Sequence, residues 1–347
     1  MMVIASNDDN RKGKHTKEKK ITKTFSVNAD ALVKINNSYG NIDIVTWDEN
    51  RVEFEITITT NSNNEEKAQK KLDQITVDFD ASQGVVHAKT LLNKNRSNSW
   101  WSWGNNNKVN MKINYIVKMP ITNSVDLNND YGSINLDKLE GRATISCDYG
   151  KITTKELMDE NNYIRFDYTN GCYFDYIGGG KINADYSSYT VGKTKALDIN
   201  ADYTKSEIEV AEDITYNCDY GSLKVNAVNT ISGNGDYLTF RLGDVFKAVS
   251  VKSDYGSIRI DKLHKSFEGL TINSDYTGIK IGYDPALAFR FDIDLEYAGL
   301  NGEENWEMVK KRIESRSKFY SGYHGSENTD SKITIESEYG SVTFYEN

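Results

Sequence analysis

The chain reads as all-β, a right-handed parallel β-helix of coils about 18 residues long, with an N-terminal β region carrying one short helix. Three observations predict this. The first is a phrase, Asp-Tyr followed by a small residue, whose tyrosine recurs from Tyr131 to Tyr255 at steps of 18, 19, 18, 17, 17, 17 and 18 residues. A fixed period sustained over more than a hundred residues marks a solenoid. The second is composition: 22 tyrosines and only 2 prolines in 347 residues, with strand-favouring Tyr, Thr, Ile and Val separated by Asn, Asp and Gly. The third is an inward pattern that repeats with the phrase. Four residues before the tyrosine stand Leu127, Ile145, Ile164, Ile182 and Ile199, with Gly233 as an exception, and three and five after it stand pairs such as Ile134 and Leu136. Alternation on both sides of the phrase gives each coil two short strands, with the parity changing at the small residue after the tyrosine. Right-handed winding is the hand parallel crossovers favour.

Taken in order, residues 1–20 read as a flexible basic leader with Arg11, Lys12, Lys14, Lys17, Lys19 and Lys20. Residues 21–124 form the N-terminal β region. Strands are expected at Ile21–Phe25, Ala31–Ile35, Asn41–Val45 and Arg51–Thr60. A helix over 65–75 follows, with Ser62 and Glu65 at capping-box spacing and Ala68, Leu72 and Ile75 on one face. It would cover an open end or side of the first sheet. Val85–Leu92 and Val109–Met119 are expected to pair as a hairpin whose long tip carries Trp100, Trp101 and Trp103. Residues 125–281 hold the regular coils. Residues 282–347 hold the last coils and a cap, in which the charged Asn305–Phe319 reads as a strand pair or a short helix.

A net charge of -9 argues against nucleic acid as a main partner, since phosphate binding needs a basic surface. Nothing reaches transmembrane length. The three cysteines are too few for a disulfide framework and lack zinc spacing; Cys147 and Cys218 occupy the inward small position and read as core thiols. The four scattered histidines form no catalytic or metal constellation. The sequence predicts no enzyme and no cofactor.

Two rows carry the chemistry that remains. Asp130, Asp148, Asp167, Asp185, Asp202, Asp219, Asp236, Asp254 and Asp275 occupy one position in nine coils. Stacked at ~4.8 Å, neighbouring carboxylates repel by roughly 1 kcal/mol even in water. Either each accepts backbone N–H bonds at the bend, as Asx turns do, or the row holds cations, calcium being the natural choice. Tyr131, Tyr149, Tyr168, Tyr186, Tyr203, Tyr220, Tyr237, Tyr255 and Tyr276 share the parity of the residues two and four places earlier. They are expected to face inward as an aromatic ladder at a structural corner, an exposed ligand-binding ladder being the alternative. Trp100, Trp101 and Trp103 are the local candidates for binding.

The residues also resemble a known group. Phe25-Ser26-Val27, Val33–Asn36, Tyr39-Gly40-Asn41-Ile42, Trp47 followed by Val52, the helix at 65–75, Ile116–Pro120, Pro285–Phe291 and the closing Tyr339-Gly340 resemble the bacterial "putative adhesin" domain family, exported β-strand-repeat proteins of Bacteroidetes type. The resemblance covers roughly residues 21–347. It implies a β-helical protein of the periplasm, outer membrane or cell surface with an adhesive role toward a glycan or protein partner, and no catalytic residues. A carbohydrate-active enzyme on the same scaffold and a periplasmic sensory or regulatory partner are the alternatives.

Overall fold

The structure, a computed structural model, describes residues 13–93 and 109–347. Among the described residues the chain forms 26 strands and one helix. It divides into two compact units between Thr153 and Thr154.

In the first unit, strand Leu32–Ser38 pairs in parallel with Ser124–Asp130, setting Ile35 beside Leu127 and Ser38 beside Asp130. Ser124–Asp130 pairs in the same sense with Ala143–Asp148. After the phrase, Ile42–Trp47 lies parallel to Ser133–Leu136. The repeat containing Tyr39 is therefore the spatial neighbour of the repeat containing Tyr131, although 92 residues separate them. The intervening chain extends both strand layers past that first repeat. Val85–Leu92 continues one layer beside Leu32–Ser38 and forms an antiparallel hairpin with Ile75–Ala81. Asn110–Pro120 continues the other beside Ile42–Trp47, followed by Arg51–Ser62 antiparallel to it.

This corrects the hairpin expected between Val85–Leu92 and Val109–Met119. The two strands belong to different layers and each has other partners. Trp100, Trp101 and Trp103 lie outside the described residues.

The leader is corrected from His15 onward, residues 1–12 lying outside the described residues. Strand His15–Ser26 pairs antiparallel with Arg51–Ser62 over its whole length. Its charged residues suit an outermost strand, where lysines discourage further pairing. Phe25 anchors it against Phe54 and Phe79, with ring centroids 6.2 and 5.6 Å away. The helix runs Glu65–Asp73 and buries Ala68 and Leu72, as its periodicity predicts. Its N-cap is Asn64, whose side chain accepts from the Lys67 N–H. Ser62 accepts instead from the Asn64 N–H, so the expected capping box lies two residues too early. The helix packs on Arg51–Ser62 and His15–Ser26, and Thr60 donates its hydroxyl to the Ala68 carbonyl.

In the second unit, long strands stack in parallel at repeat spacing: Cys172–Asp185, Ser188–Asp202, Lys205–Asn217, Ser222–Asn234 and Thr239–Asp254. Equivalent positions meet, so Ile182, Ile199, Tyr216, Gly233 and Val251 form one row, buried at all but Gly233. Gly233 breaks the apolar pattern for a packing reason: a Cβ there would stand 2.6 Å from Cδ1 of the Tyr216 ring.

The end of the chain does not follow sequence order. Lys332–Glu338 enters between Gly269–Asp275 and Phe289–Glu296, parallel to both. Val342–Glu346 likewise pairs with Gly278–Tyr283 and with Leu300–Asn301. The outer side of Phe289–Glu296 is covered by Ser317–His324, antiparallel, and then by Glu307–Ile313. The charged segment read as a strand pair or a helix is thus a strand pair. Trp306, Tyr283, Phe289 and Phe344 pack edge-on beneath it.

Candidate functional site

Among the described residues, every non-glycine residue with positive φ is a tyrosine of the repeated phrase. There are twelve, with φ between 49° and 64°. A left-handed residue turns the chain by itself, and it also rotates its Cβ away from the side that alternation would assign. The tyrosines accordingly point outward, with Tyr131 54% and Tyr186 50% exposed. This corrects the inward ladder. The parity change sits at the tyrosine itself and not at the residue after it.

The rings stack. In the first unit Tyr39, Tyr131 and Tyr149 are 5.3 and 5.1 Å apart. In the second unit the run from Tyr168 to Tyr276 has steps of 4.8 to 5.1 Å and interplanar angles of 2° to 9°. It continues from Tyr276 to Tyr339 at 4.6 Å and from Tyr339 to Tyr297 at 4.8 Å. These steps are the inter-strand spacing, so strand pairing sets the pitch and the rings follow. At Tyr297 the Arg316 guanidinium lies 5.9 Å from the ring centroid.

Backbone bonds lock each corner. The Tyr186 N–H donates to the Asp202 carbonyl, Tyr203 to Asp219 and Tyr220 to Asp236. The residue after the tyrosine is small because the chains touch there. A Cβ on Gly132 would stand 1.9 Å from the Gly40 carbonyl oxygen, and one on Gly340 2.0 Å from that of Thr277. Where the residue is Ser or Thr, its hydroxyl is used instead. Ser187 Oγ accepts from the Thr169 N–H, and Thr204 Oγ1 from the Ser187 N–H.

The aspartates accept backbone N–H bonds, but from the next repeat and not from a local turn. Asp185 Oδ1 takes the Asp202 N–H at 3.2 Å, Asp202 that of Asp219 at 3.0 Å, Asp219 that of Asp236 at 2.8 Å, and Asp236 that of Asp254 at 3.2 Å. A charge-assisted bond of this kind offsets the neighbour repulsion. The carboxylates are strung one to a strand, and no group of three or more His, Cys, Asp or Glu able to hold a metal ion lies among the described residues.

Desolvation, then neighbouring phenols, then the aspartates push the Tyr186, Tyr220 and Tyr255 hydroxyls above the ordinary tyrosine range. Those three phenols therefore stay protonated at neutral pH. Each interior ring has both faces covered by its neighbours. What it offers a partner is a ring edge and a hydroxyl, beside a carboxylate.

A second row flanks the ladder on its other side, and the sequence reading missed it. Four residues after the tyrosine stand Lys224, Arg241, Arg259 and Lys280, on successive paired strands. The same alignment that displayed the aspartates contains this row, but it spans four repeats and was obscured by the variable residues around it. Lys224 pairs with Glu207, and Arg241 and Arg259 share Asp261.

The thiols are inert by placement. Cys147, Cys172 and Cys218 are buried, and burial pushes the Cys218 thiol up to about 12. No helix among the described residues is long and apolar enough to cross a membrane.

No protein-family model matches the chain, and no curated protein matches it. Among solved structures it is similar to a "putative adhesin" from Parabacteroides merdae, with 12% identity over 94% of this chain and 96% of that one and a TM-score of 0.31. It is also similar to a "putative lipid binding protein" from Parabacteroides distasonis, at 11% over 94% and 96% with a TM-score of 0.32. A "putative cell adhesion protein" from Clostridium sporogenes matches at 9% over 95% and 100%, with a TM-score of 0.17. The first of these names is that of the family the sequence resembles.

Proposed function

We propose that the chain is a non-catalytic adhesion scaffold of the cell envelope or surface, its parallel repeats winding as a right-handed solenoid, and that the exposed tyrosine ladder is its contact surface for a glycan or protein partner. The left-handed backbone of the tyrosines carries this reading. Glycine makes such a turn without steric penalty, whereas a residue with a Cβ pays ~1–2 kcal/mol. Aromatic stacking returns ~0.5–1.5 kcal/mol per pair. The two terms nearly cancel, so the turn alone gives no reason to keep tyrosine at twelve turns. A role for the exposed ring edges and hydroxyls supplies one, since strained backbone is retained where it serves binding.

The test is binding of the intact chain to glycan and protein arrays, compared with Tyr203→Asn/Tyr220→Asn/Tyr237→Asn. Asparagine tolerates the left-handed conformation, so the fold survives and circular dichroism checks it. Binding is expected to fall at least tenfold. Unchanged binding by the folded variant overturns the reading. Polysaccharide turnover abolished by a single carboxylate substitution would replace it with an enzyme.

A further inference from the structure

We infer that the partner of the second unit's ladder is a second copy of this chain, the two ladders lying side by side and running in the same direction. The inference rests on the ladder being a contact surface and names what covers it.

Pitch is the first argument. From Tyr186 to Tyr237 the rings repeat at 4.8 and 4.9 Å, the spacing of stacked β-strands. A ligand built on another repeat falls out of step within a few rungs. A second stack of the same strands stays in step along its whole length.

Charge is the second. In the repeats of Tyr220, Tyr237, Tyr255 and Tyr276 the ladder has Asp219, Asp236, Asp254 and Asp275 immediately before the tyrosines and Lys224, Arg241, Arg259 and Lys280 four residues after them. The ladder therefore has an acidic flank and a basic flank. Among the described residues those four aspartates have no ion-pair partner. Arg241 and Arg259 share a single Asp261, which leaves the basic flank with net positive charge. A two-fold axis parallel to the ladder exchanges left and right, so each acidic flank faces the partner's basic flank. A two-fold axis across the ladder sets acid against acid. Complementarity thus selects the parallel arrangement, an isologous interface of the kind common in dimers.

Area is the third. The nine tyrosines of the second unit are each 45–51% exposed. Aromatic side chains present ~150–250 Å² each, so about half of nine leaves on the order of 700–1,100 Å² per copy, against roughly 800 Å² per partner in a standard stable interface.

The experiment uses the intact chain. Sedimentation equilibrium at low salt is expected to show a dimer that weakens as sodium chloride is raised. Arg241→Gln/Arg259→Gln/Lys280→Gln and, separately, Tyr203→Asn/Tyr220→Asn/Tyr237→Asn should each weaken dimerisation at least tenfold, with unchanged circular dichroism. Tyr186→Cys, placed toward one end of the ladder, fixes the direction. Parallel ladders bring the two new thiols together, and mild oxidation gives a covalent dimer of the single variant. Antiparallel ladders overlapping over the same nine rungs cross-link only when Tyr186→Cys is mixed with Tyr339→Cys. A monomer at every concentration overturns the inference, as does a dimer indifferent to both sets of variants or one cross-linked only in the mixture. Loss of array binding in the tyrosine variant, together with a monomeric parent, would leave the adhesion reading standing while this inference fails.

Discussion

In the first unit, the strand next to Leu32–Ser38 comes from 92 residues further along the chain; in the second, Lys332–Glu338 returns across 63 residues to lie beside Gly269–Asp275. The first case is an insertion. A repeat starts, a helix and several strands are spun out of it, and the chain rejoins the stack where it left. The second is an intercalation. The repeats of Tyr276 and Tyr297 come first in sequence, and the last two strands lie between them. In both, ring spacing stays between 4.6 and 5.3 Å. The comparison separates two kinds of order. The pitch of the stack is set by strand pairing and is indifferent to sequence distance. The sequence period reports it only where consecutive repeats are also neighbours.

The largest effect is expected from breaking the intercalation. Ending the chain after Gly325 removes both inserted strands and strips one edge from each of the four strands they pair with. Cooperative unfolding of the second unit should be lost, and the unpaired edges should promote aggregation; calorimetry and light scattering report both. A milder version is Ile335→Ala, which empties a fully buried site between Ile272 and Ile293 and should cost ~2–5 kcal/mol in chemical denaturation. A cost below 1 kcal/mol would mean that the last strand is not held inside the stack.

A sharper comparison comes from glycines. Gly340→Ala forces a Cβ to 2.0 Å from the Thr277 carbonyl oxygen, whereas a Cβ on Gly278 meets nothing within 4 Å. The first should lose about 1–3 kcal/mol and the second should stay within about 0.5 kcal/mol of the parent. Gly132→Ala, at 1.9 Å from the Gly40 carbonyl oxygen, should match Gly340→Ala, because the insertion and the intercalation bring the backbones equally close. Equal, small losses at Gly340 and Gly278 would refute the close approach.

How much of this was legible follows the same division. The strands, the repeat and the helix can all be read from local alternation, because each depends on residues within about twenty positions. The expected pairing of Val85–Leu92 with Val109–Met119 failed because adjacency in sequence stood in for adjacency in space. The reading of His15–Lys20 as leader failed because charge was read as solvation, although the strand expected at Ile21–Phe25 continues back through these residues. The tyrosine error is instructive for a different reason. Parity counting assumes extended backbone throughout, and one left-handed residue reverses the face. The replaceable residue after the tyrosine was a true clue, since it excluded a glycine-specific turn there. It left the tyrosine as the residue that makes the turn, despite its Cβ.

The acid row gives a smaller, pH-dependent prediction. Desolvation first, then Asp275 and Glu296 on the two flanking strands, raise the Glu338 carboxyl above the ordinary glutamate range. A carboxyl whose folded pKa is raised stabilises the fold while protonated, and that contribution is lost as pH climbs from the unfolded value through the folded one. Stability of the second unit should therefore decline across that window, and Glu338→Gln should flatten the decline and raise stability at neutral pH. Thermal melts from pH 4 to pH 8 measure it. The same decline in parent and variant would remove Glu338 as its source.

The smallest effect tests what holds the ladder. Tyr131 has a stacked ring on each side, Tyr39 and Tyr149, while Tyr39 stacks on Tyr131. Replacing either Tyr39 or Tyr131 with glycine relieves ~1–2 kcal/mol of left-handed strain and costs the unfolded-state entropy of an added glycine. Those terms are common to both sites. The stacking loss is not: one pair at Tyr39 and two at Tyr131, at ~0.5–1.5 kcal/mol each. Tyr39→Gly should therefore be more stable than Tyr131→Gly by about 1 kcal/mol, with both close to the parent. Equal stabilities in denaturant melts would mean that stacking does not offset the strain. The ladder would then be held at a net cost to the fold, and the case that its exposed edges serve a partner would be stronger.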